Sequence, residues 1–268
     1  MQPEPDPLPD KYSTKIVRTP LADDLRAQIV GFLGHKDDVY VDDINLRLQA
    51  AAADLVGLAL WKDRPVAHAC LARSYASKDV ALLCHVFTAE THRTQGLATT
   101  ILQQLFATFD EEHGRWAVLG VSNPAAERLY KRMGFRGLNG GLDEENFIMC
   151  RTAPHVEPRD VLDGTANGKV VPMERRHLAE LVLLLNLEAR AGKLPAADID
   201  RGLLAEKKLV KLMHAQDENE ARCRVLVAGK SRRVRGIGCS VGGKYSFYAP
   251  DVPQAERDRL IRAVEGNK

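Results

Sequence analysis

HVFTAETHRTQGLATTILQQL, residues 85–105 of a 268-residue chain, decides the fold. Its opening residues close a β run, its middle is a polar loop, and from Leu97 the apolar side chains Leu97, Ile101, Leu102, Leu105, Phe106 and Phe109 fall on one helical face. A strand, a short loop and then Arg93-Thr94-Gln95-Gly96-Leu97-Ala98 running into a helix make an anion cradle. Gly96 and Ala98 are small enough for a group such as pyrophosphate to reach the backbone. The unpaired N–H groups of the first helical turn point at it with the positive end of the helix dipole. Arg93 adds a charge. A short glycine pattern is weak by itself, and the strand-loop-helix setting is what gives this one weight.

Working outward, Lys15–Arg18 reads as a strand, Leu21–Gly34 as a helix with Asp23 and Asp24 in its first turn, and Asp43–Ala53 as a second helix. Leu55–Trp61 and Pro65–Arg73 are β runs around the turn Lys62-Asp63-Arg64, and Val80–Thr88 is a further apolar run. After the helix that opens at Leu97, Trp116–Val121 is a buried strand, Pro124–Met133 a helix and Asn146–Cys150 a closing strand.

TAPHVEPRDVLDGTANG, residues 152–168, holds two prolines, two glycines and several acids without periodicity, and is read as a linker. Beyond it Lys169–Pro172 resembles the first strand again, and Arg176–Ala191 reads as a strongly amphipathic helix. Asp198–His214 is a second helix, Arg224–Ala228 and Ile237–Tyr248 two β runs around Gly229-Lys230-Ser231, and Gln254–Val264 a last helix. Strand, helix, helix, strand, strand repeats the opening order of the first half, in element order and not in residue identity. The expected organisation is a Pro-rich disordered tail at 1–14, a first domain at 15–151, the linker, and a smaller α/β domain at 169–268.

Hydrophobic residues make up 45% and charged residues 28% of the chain, the balance of a globular protein rather than a disordered or membrane one. MQPEPDPLPD at the start lacks the apolar core of a signal peptide or anchor. Five scattered cysteines, Cys70, Cys84, Cys150, Cys223 and Cys239, lie among apolar neighbours, which suggests buried thiols in a reducing, cytoplasmic setting. No short Cys or His spacing calls for a metal. The net charge of +2 divides into −3 over residues 1–153 and +5 over 154–268, an ordinary mixed surface with nucleic acid not expected as a partner.

The cradle resembles the Arg/Gln-x-x-Gly-x-Gly/Ala signature of the GNAT superfamily of N-acyltransferases. Ser122-Asn-Pro-Ala-Ala-Glu-Arg-Leu-Tyr-Lys-Arg-Met-Gly-Phe135 resembles the same family's second motif, Asn-x-x-Ala-x-x-Leu-Tyr-x-x-x-Gly-Phe. The two motifs come in the family's order, and the likeness spans about residues 15–150. It implies an α/β (α+β) fold with a mixed, mainly antiparallel sheet flanked by helices, and transfer of an acyl group, acetyl by default, from acyl-CoA to an amine without a metal. By that resemblance Val86, Phe87 and Thr88 pair with the pantetheine arm, Arg93 to Ala98 hold the pyrophosphate, and Asn123 contacts the cofactor. Tyr130 protonates the departing thiolate, its phenol pKa of ~10 being close enough to a thiol's ~8.5 for donation.

The general base stays open. Family members often carry a glutamate on one of the two site strands, but the strand before Asn123 is Ala117-Val-Leu-Gly-Val121. His85 is the nearest titratable residue, with water, Glu90 and His92 as alternatives. Arg233-Val-Arg-Gly-Ile-Gly238 also fits the cradle pattern, yet it leads into a strand-like run rather than a helix and reads as a basic hairpin. The expected acceptor is the amine of a small molecule, with a protein lysine or RNA-borne amine as the alternative; a membrane partner is not expected, and a homodimer is left open. A non-catalytic CoA-binding protein is the reading from a different class.

Overall fold

The structure is a computed structural model that describes residues 11–51, 53–74, 78–138, 147–162, 168–190, 206–229, 233–249 and 252–266. Strand β1 (Tyr12–Arg18) is followed by helices α1 (Asp23–Leu33) and α2 (Asp38–Gln49), and β2 (Leu55–Trp61), β3 (Arg64–Arg73) and β4 (Val80–Thr88) come next. Helix α3 (Leu97–Glu111), strand β5 (Trp116–Val121), helix α4 (Pro124–Arg132) and strands β6 (Arg136–Gly137) and β7 (Phe147–Thr152) complete a seven-stranded sheet in the order β1-β2-β3-β4-β5-β7-β6. Among the described residues only the β4–β5 pair is parallel, so the expected mixed, mainly antiparallel sheet is what forms. β1 begins at Tyr12, inside the stretch read as a tail, because Tyr12 and Ser13 already pair with Trp61 and Leu60. The rest of the tail expectation, residues 1–10, lies outside the described residues. Helix α2 starts five residues ahead of the expected Asp43, and the two-residue strand β6 was not anticipated.

The second half builds β8 (Lys169–Pro172), α5 (Leu178–Arg190), α6 (Glu206–Asp217), β9 (Ala221–Val227), β10 (Val234–Val241), β11 (Lys244–Tyr248) and α7 (Gln254–Glu265). Its four strands run β11-β10-β9-β8, every neighbouring pair antiparallel. The single β run expected over Ile237–Tyr248 is therefore two strands, parted at Gly242 and Gly243, whose φ values of 54° and 76° turn the chain back. Strand, two helices, three antiparallel strands and a helix is also the opening of the first half. The pairing agrees as well as the order: α3 packs across β2 and β3, and α7 across β9 and β10.

Helix α5 departs from its sequence reading. It is not amphipathic but buried all round, with Leu181, Val182, Leu183 and Leu185 fully covered and Glu180, Asn186 and Glu188 inside as well. The reason is its position between the two sheets, against β4 and β5 on one side and β10 on the other. One cluster of buried side chains runs from Val80, Leu82, Trp116, Val118 and Ile148 through α5 to Val225 and Ile237. Glu180 and Arg233 are paired across the junction. Glu180 accepts from Ser74 Oγ at 2.7 Å, from the Val234 N–H at 2.7 Å and from Arg233 Nη1 at 3.4 Å. Arg233 Nη2 also donates to Asp79 at 2.7 Å, and its guanidinium lies 5.1 Å from the Trp116 ring centroid.

On the other face of the first sheet, Leu97, Ile101, Leu102, Leu105, Phe106 and Phe109 of α3 pack with Tyr130 of α4 and with Met133 at its C-cap. Between the faces, β4 carries a bulge. His68 pairs with Phe87 and Cys70 with Cys84, so His85 and Val86 together oppose Ala69, and His85 takes a φ of 55°. His68 Nδ1 donates to the His85 carbonyl at 2.9 Å, and burial depresses the His68 pKa to about 3.

Two outcomes follow from these contacts. Removing the carboxylate in Glu180→Ala leaves Arg233 and the Val234 N–H without their buried acceptor, and urea unfolding should register a loss of about 3 kcal/mol. His68 stays neutral in the fold down to about pH 3, whereas its unfolded reference of ~6.5 takes up a proton sooner. Below that reference pH the unfolded state therefore binds more protons and stability falls. The urea midpoint should drop between pH 7 and pH 5, and by less in His68→Gln.

Candidate active site

The parallel ladder between β4 and β5 joins Val80, Ala81 and Leu82 to Trp116, Ala117 and Val118, and goes no further. Beyond it the two strands part, so that Leu83–Thr88 and Leu119–Val121 are not paired to each other. Val86, Phe87 and Thr88, the residues expected to meet an extended arm, form the far end of β4 beyond this parting. An acyl-carrying chain laid between the strands would find backbone donors and acceptors of the kind a strand uses.

From Thr88 the chain crosses a single 3₁₀ turn, Glu90–His92, to the cradle. Arg93 Nε donates to the Thr88 carbonyl at 3.2 Å and Nη1 to Glu90 at 3.3 Å, which ties the loop to the strand. Thr94 and Gly96 have φ values of 61° and 76°. Gly96 is the N-cap of α3, and glycine suits it because a left-handed conformation costs other residues about 1–2 kcal/mol. Among the described residues no side chain caps this helix, and no acidic residue lies in its first turn. A fifteen-residue helix thus presents its first N–H groups at the mouth of the parted strands.

Asn123 sits just past the end of β5, and its side-chain oxygen accepts from the Ala125 N–H at 2.8 Å as the N-cap of α4. That explains the residue locally: Asn at an N-cap with Pro124 behind it is a strong helix start. Tyr130 is buried on the inner side of α4, its ring edge-on to Phe135 at 6.0 Å. Glu90, paired with Arg93, and His92, whose Nδ1 lies 3.0 Å from the Tyr12 hydroxyl and whose ring abuts Trp61, belong to the loop at the β1–β2 side.

His85 alone among the candidate bases lies within the parted stretch of β4. The bulge turns its side chain to the α1–α2 face, where Nε2 is 3.6 Å from Asp43 Oδ2. Asp43 is a carboxylate on α2 that sequence reasoning missed. Burial works against its ionised form, but the Arg47 guanidinium, with Nε at 2.6 Å, and His85 hold its pKa well below the usual carboxylate range. Only the i, i+4 spacing of Asp43 and Arg47 hinted at the pairing. Around the turn between α1 and α2, Phe32 and His35 pack on Phe87 at 5.2 and 4.1 Å, and Tyr40 stands edge-on to His85 at 6.3 Å.

The second cradle-like motif is not one in three dimensions. Arg233 is buried at the junction, and Gly236 and Gly238 lie within and alongside packed strands. A Cβ at Gly236 would meet the Tyr248 carbonyl at 2.8 Å, and one at Gly238 would meet Val264 of α7 at 2.8 Å. These glycines allow β11 and α7 to approach β10. Lys230 and Arg232 of the same basic run lie outside the described residues, and Tyr248 donates to Glu188 at 3.2 Å. Among the described residues no group of three His, Cys, Asp or Glu is arranged to hold a metal, and no helix is long and apolar enough to cross a membrane. All five cysteines are free and buried.

Residues 22–135 match the acetyltransferase (GNAT) family. Similar solved structures include a GNAT-family acetyltransferase from Staphylococcus aureus Mu50, at 16% identity over 52% of this chain and 99% of that one, with a TM-score of 0.42. Escherichia coli ElaA is similar at 15% identity over 52% and 99%, with a TM-score of 0.45. The PaiA N-acetyltransferase of Thermoplasma acidophilum, in complex with coenzyme A, is similar at 15% identity over 53% and 99%, with a TM-score of 0.40. No curated protein matches the chain in sequence. By this match and the two motifs it spans, residues 22–135 are a domain of the acetyltransferase (GNAT) family.

Proposed function

We propose that this protein transfers an acyl group, acetyl by default, from acyl-CoA to the primary amine of a small molecule, by direct attack within a ternary complex. The observation that carries the reading is the parting of β4 from β5 directly beside the uncapped N-terminus of α3. Strand edges suit an amide-bearing pantetheine arm, and a helix end suits its pyrophosphate. In this assignment Val86, Phe87 and Thr88 pair with the arm, Arg93 through Ala98 hold the phosphates, and Asn123 flanks them from the end of β5.

His85 takes the proton that the acceptor ammonium must lose, and the amine then attacks the thioester carbonyl. Collapse breaks the C–S bond, the Tyr130 phenol donates its proton to the thiolate, and the proton that the new amide nitrogen sheds returns to the Tyr130 phenolate. Asp43 is ill suited to be the base itself, since two arginines hold it ionised, but it is well placed to favour the imidazolium form of His85. A small acceptor is supported by the half-buried aromatic wall of Phe32, Tyr40 and Phe87. It is also supported by the second half packing on this same α1–α2 face, which narrows the approach.

Calorimetric titration with acetyl-CoA and longer acyl-CoAs tests the donor. Micromolar binding by the wild type that Gly96→Glu abolishes is expected, because a carboxylate at the helix mouth excludes phosphate by charge and bulk; no binding by the wild type overturns the reading. Turnover is then assayed with 2-phenylethylamine, spermidine, glucosamine and a lysine-containing peptide. Tyr130→Phe should lower kcat about 100-fold with little change in acetyl-CoA affinity. Binding without turnover of any amine would favour a non-catalytic CoA-binding protein instead.

A further inference from the structure

The carboxylate behind His85 is shared with the other half of the chain. While Asp43 Oδ2 faces Arg47 and His85, its Oδ1 accepts from Arg175 Nε at 3.0 Å. Arg175 opens the 3₁₀ turn Arg175–His177 ahead of α5, and its Nη2 reaches Asp217 of α6 at 3.2 Å. Asp43 has a side chain only 1% exposed, so water does little to orient it or to screen its partners. Its orientation is set by the two guanidinium groups, one from each half. Arg175 is itself 27% exposed and stands at the rim of a cavity of about 550 Å³ between the halves, so its replacement does not open the core.

We propose that Arg175 is a positioning residue for the acyl-transfer site, holding Asp43 so that the second half of the chain fixes the orientation and charge state of His85. The inference rests on the reading of His85 as proton acceptor. The groups facing His85 come from several elements. Helix α2 contributes Asp43, Arg47 and the Tyr40 ring, β4 contributes Cys84, and β3 contributes His68, whose ring is bonded to the His85 carbonyl. Arg175 is the charged group that reaches this set from the second half, through Asp43. Its loss removes a cation that offsets the carboxylate, so the His85 imidazolium becomes easier to form. Loss of Asp43 does the opposite.

Nitrogen-15 NMR titration of the imidazoles in the full-length chain tests this without needing a substrate, on wild type, Arg175→Met, Arg175→Lys and Asp43→Asn. Arg175→Met should raise the His85 pKa by roughly half a unit to one unit, Arg175→Lys should restore it, and Asp43→Asn should lower it. Acetyl-CoA affinity of Arg175→Met, by calorimetry, should stay within about twofold of wild type, since the phosphate cradle is untouched. A His85 titration identical in wild type and Arg175→Met overturns the proposal, even if the variant melts earlier, because a purely structural role would move the melting temperature alone. Should Asp43→Asn fail to fold, the Met and Lys variants decide. Absence of acetyl-CoA binding in the wild type would defeat the functional reading and leave the Arg175–Asp43–His85 coupling to be judged on the titration.

Discussion

A seven-stranded sheet has two faces to bury, and the first half of this chain covers one of them and only part of the other. Helices α3 and α4 cover the face that carries Leu83, Ala117 and Leu119. On the other, α1 and α2 cover the β1–β4 side, which leaves Val80, Leu82, Trp116, Val118 and Ile148 in need of a cover. Helix α5 is that cover, and because a second sheet lies behind it, it is buried on every side. The rest of the junction follows from this burial. Glu180 has to find Ser74, Val234 and Arg233, and Arg233 has to find Asp79, because charges taken that deep require partners.

The same packing bears on the chemistry. A parted parallel pair cannot carry an ionised base easily between its strands, where β5 is Ala117-Val-Leu-Gly-Val121 and the surroundings are apolar. The bulge at His85 resolves this by turning a titratable ring out of the sheet toward α2. There Asp43 meets it, held by guanidinium groups from both halves. The arginine decoy and the true cradle differ for a related reason. Gly96 ends in a helix that offers N–H groups, whereas Gly236 and Gly238 lie in a strand whose N–H groups are already spent on its neighbours.

Much of this was legible in the chain itself. Alternating and helical periodicities located most elements to within a few residues, and the Arg93–Ala98 and Asn123–Phe135 motifs marked the cradle and α4. What escaped were features that depend on distant contacts. Helix α5 looked amphipathic because Glu180, Asn186 and Glu188 are polar, and only the second sheet shows that Glu180 and Glu188 have internal partners, while Asn186 bonds back to the Val182 carbonyl of its own helix. Asp43 looked like a helix start, since nothing local says that His85 and Arg175, 42 and 132 positions away, converge on it. The Gly242-Gly243 turn was hidden because the strands on either side, rich in glycine and small or aromatic residues, merge into one β-like run.

The likeness between the two halves ends at the fourth strand. β4 has β5 to part from, while β11 is, among the described residues, the outermost strand of its sheet. A slot needs two walls, and among the described residues β11 supplies one. A thioester arm laid along β11 would be wetted along its open side, where water competes with any amine for the acyl carbon.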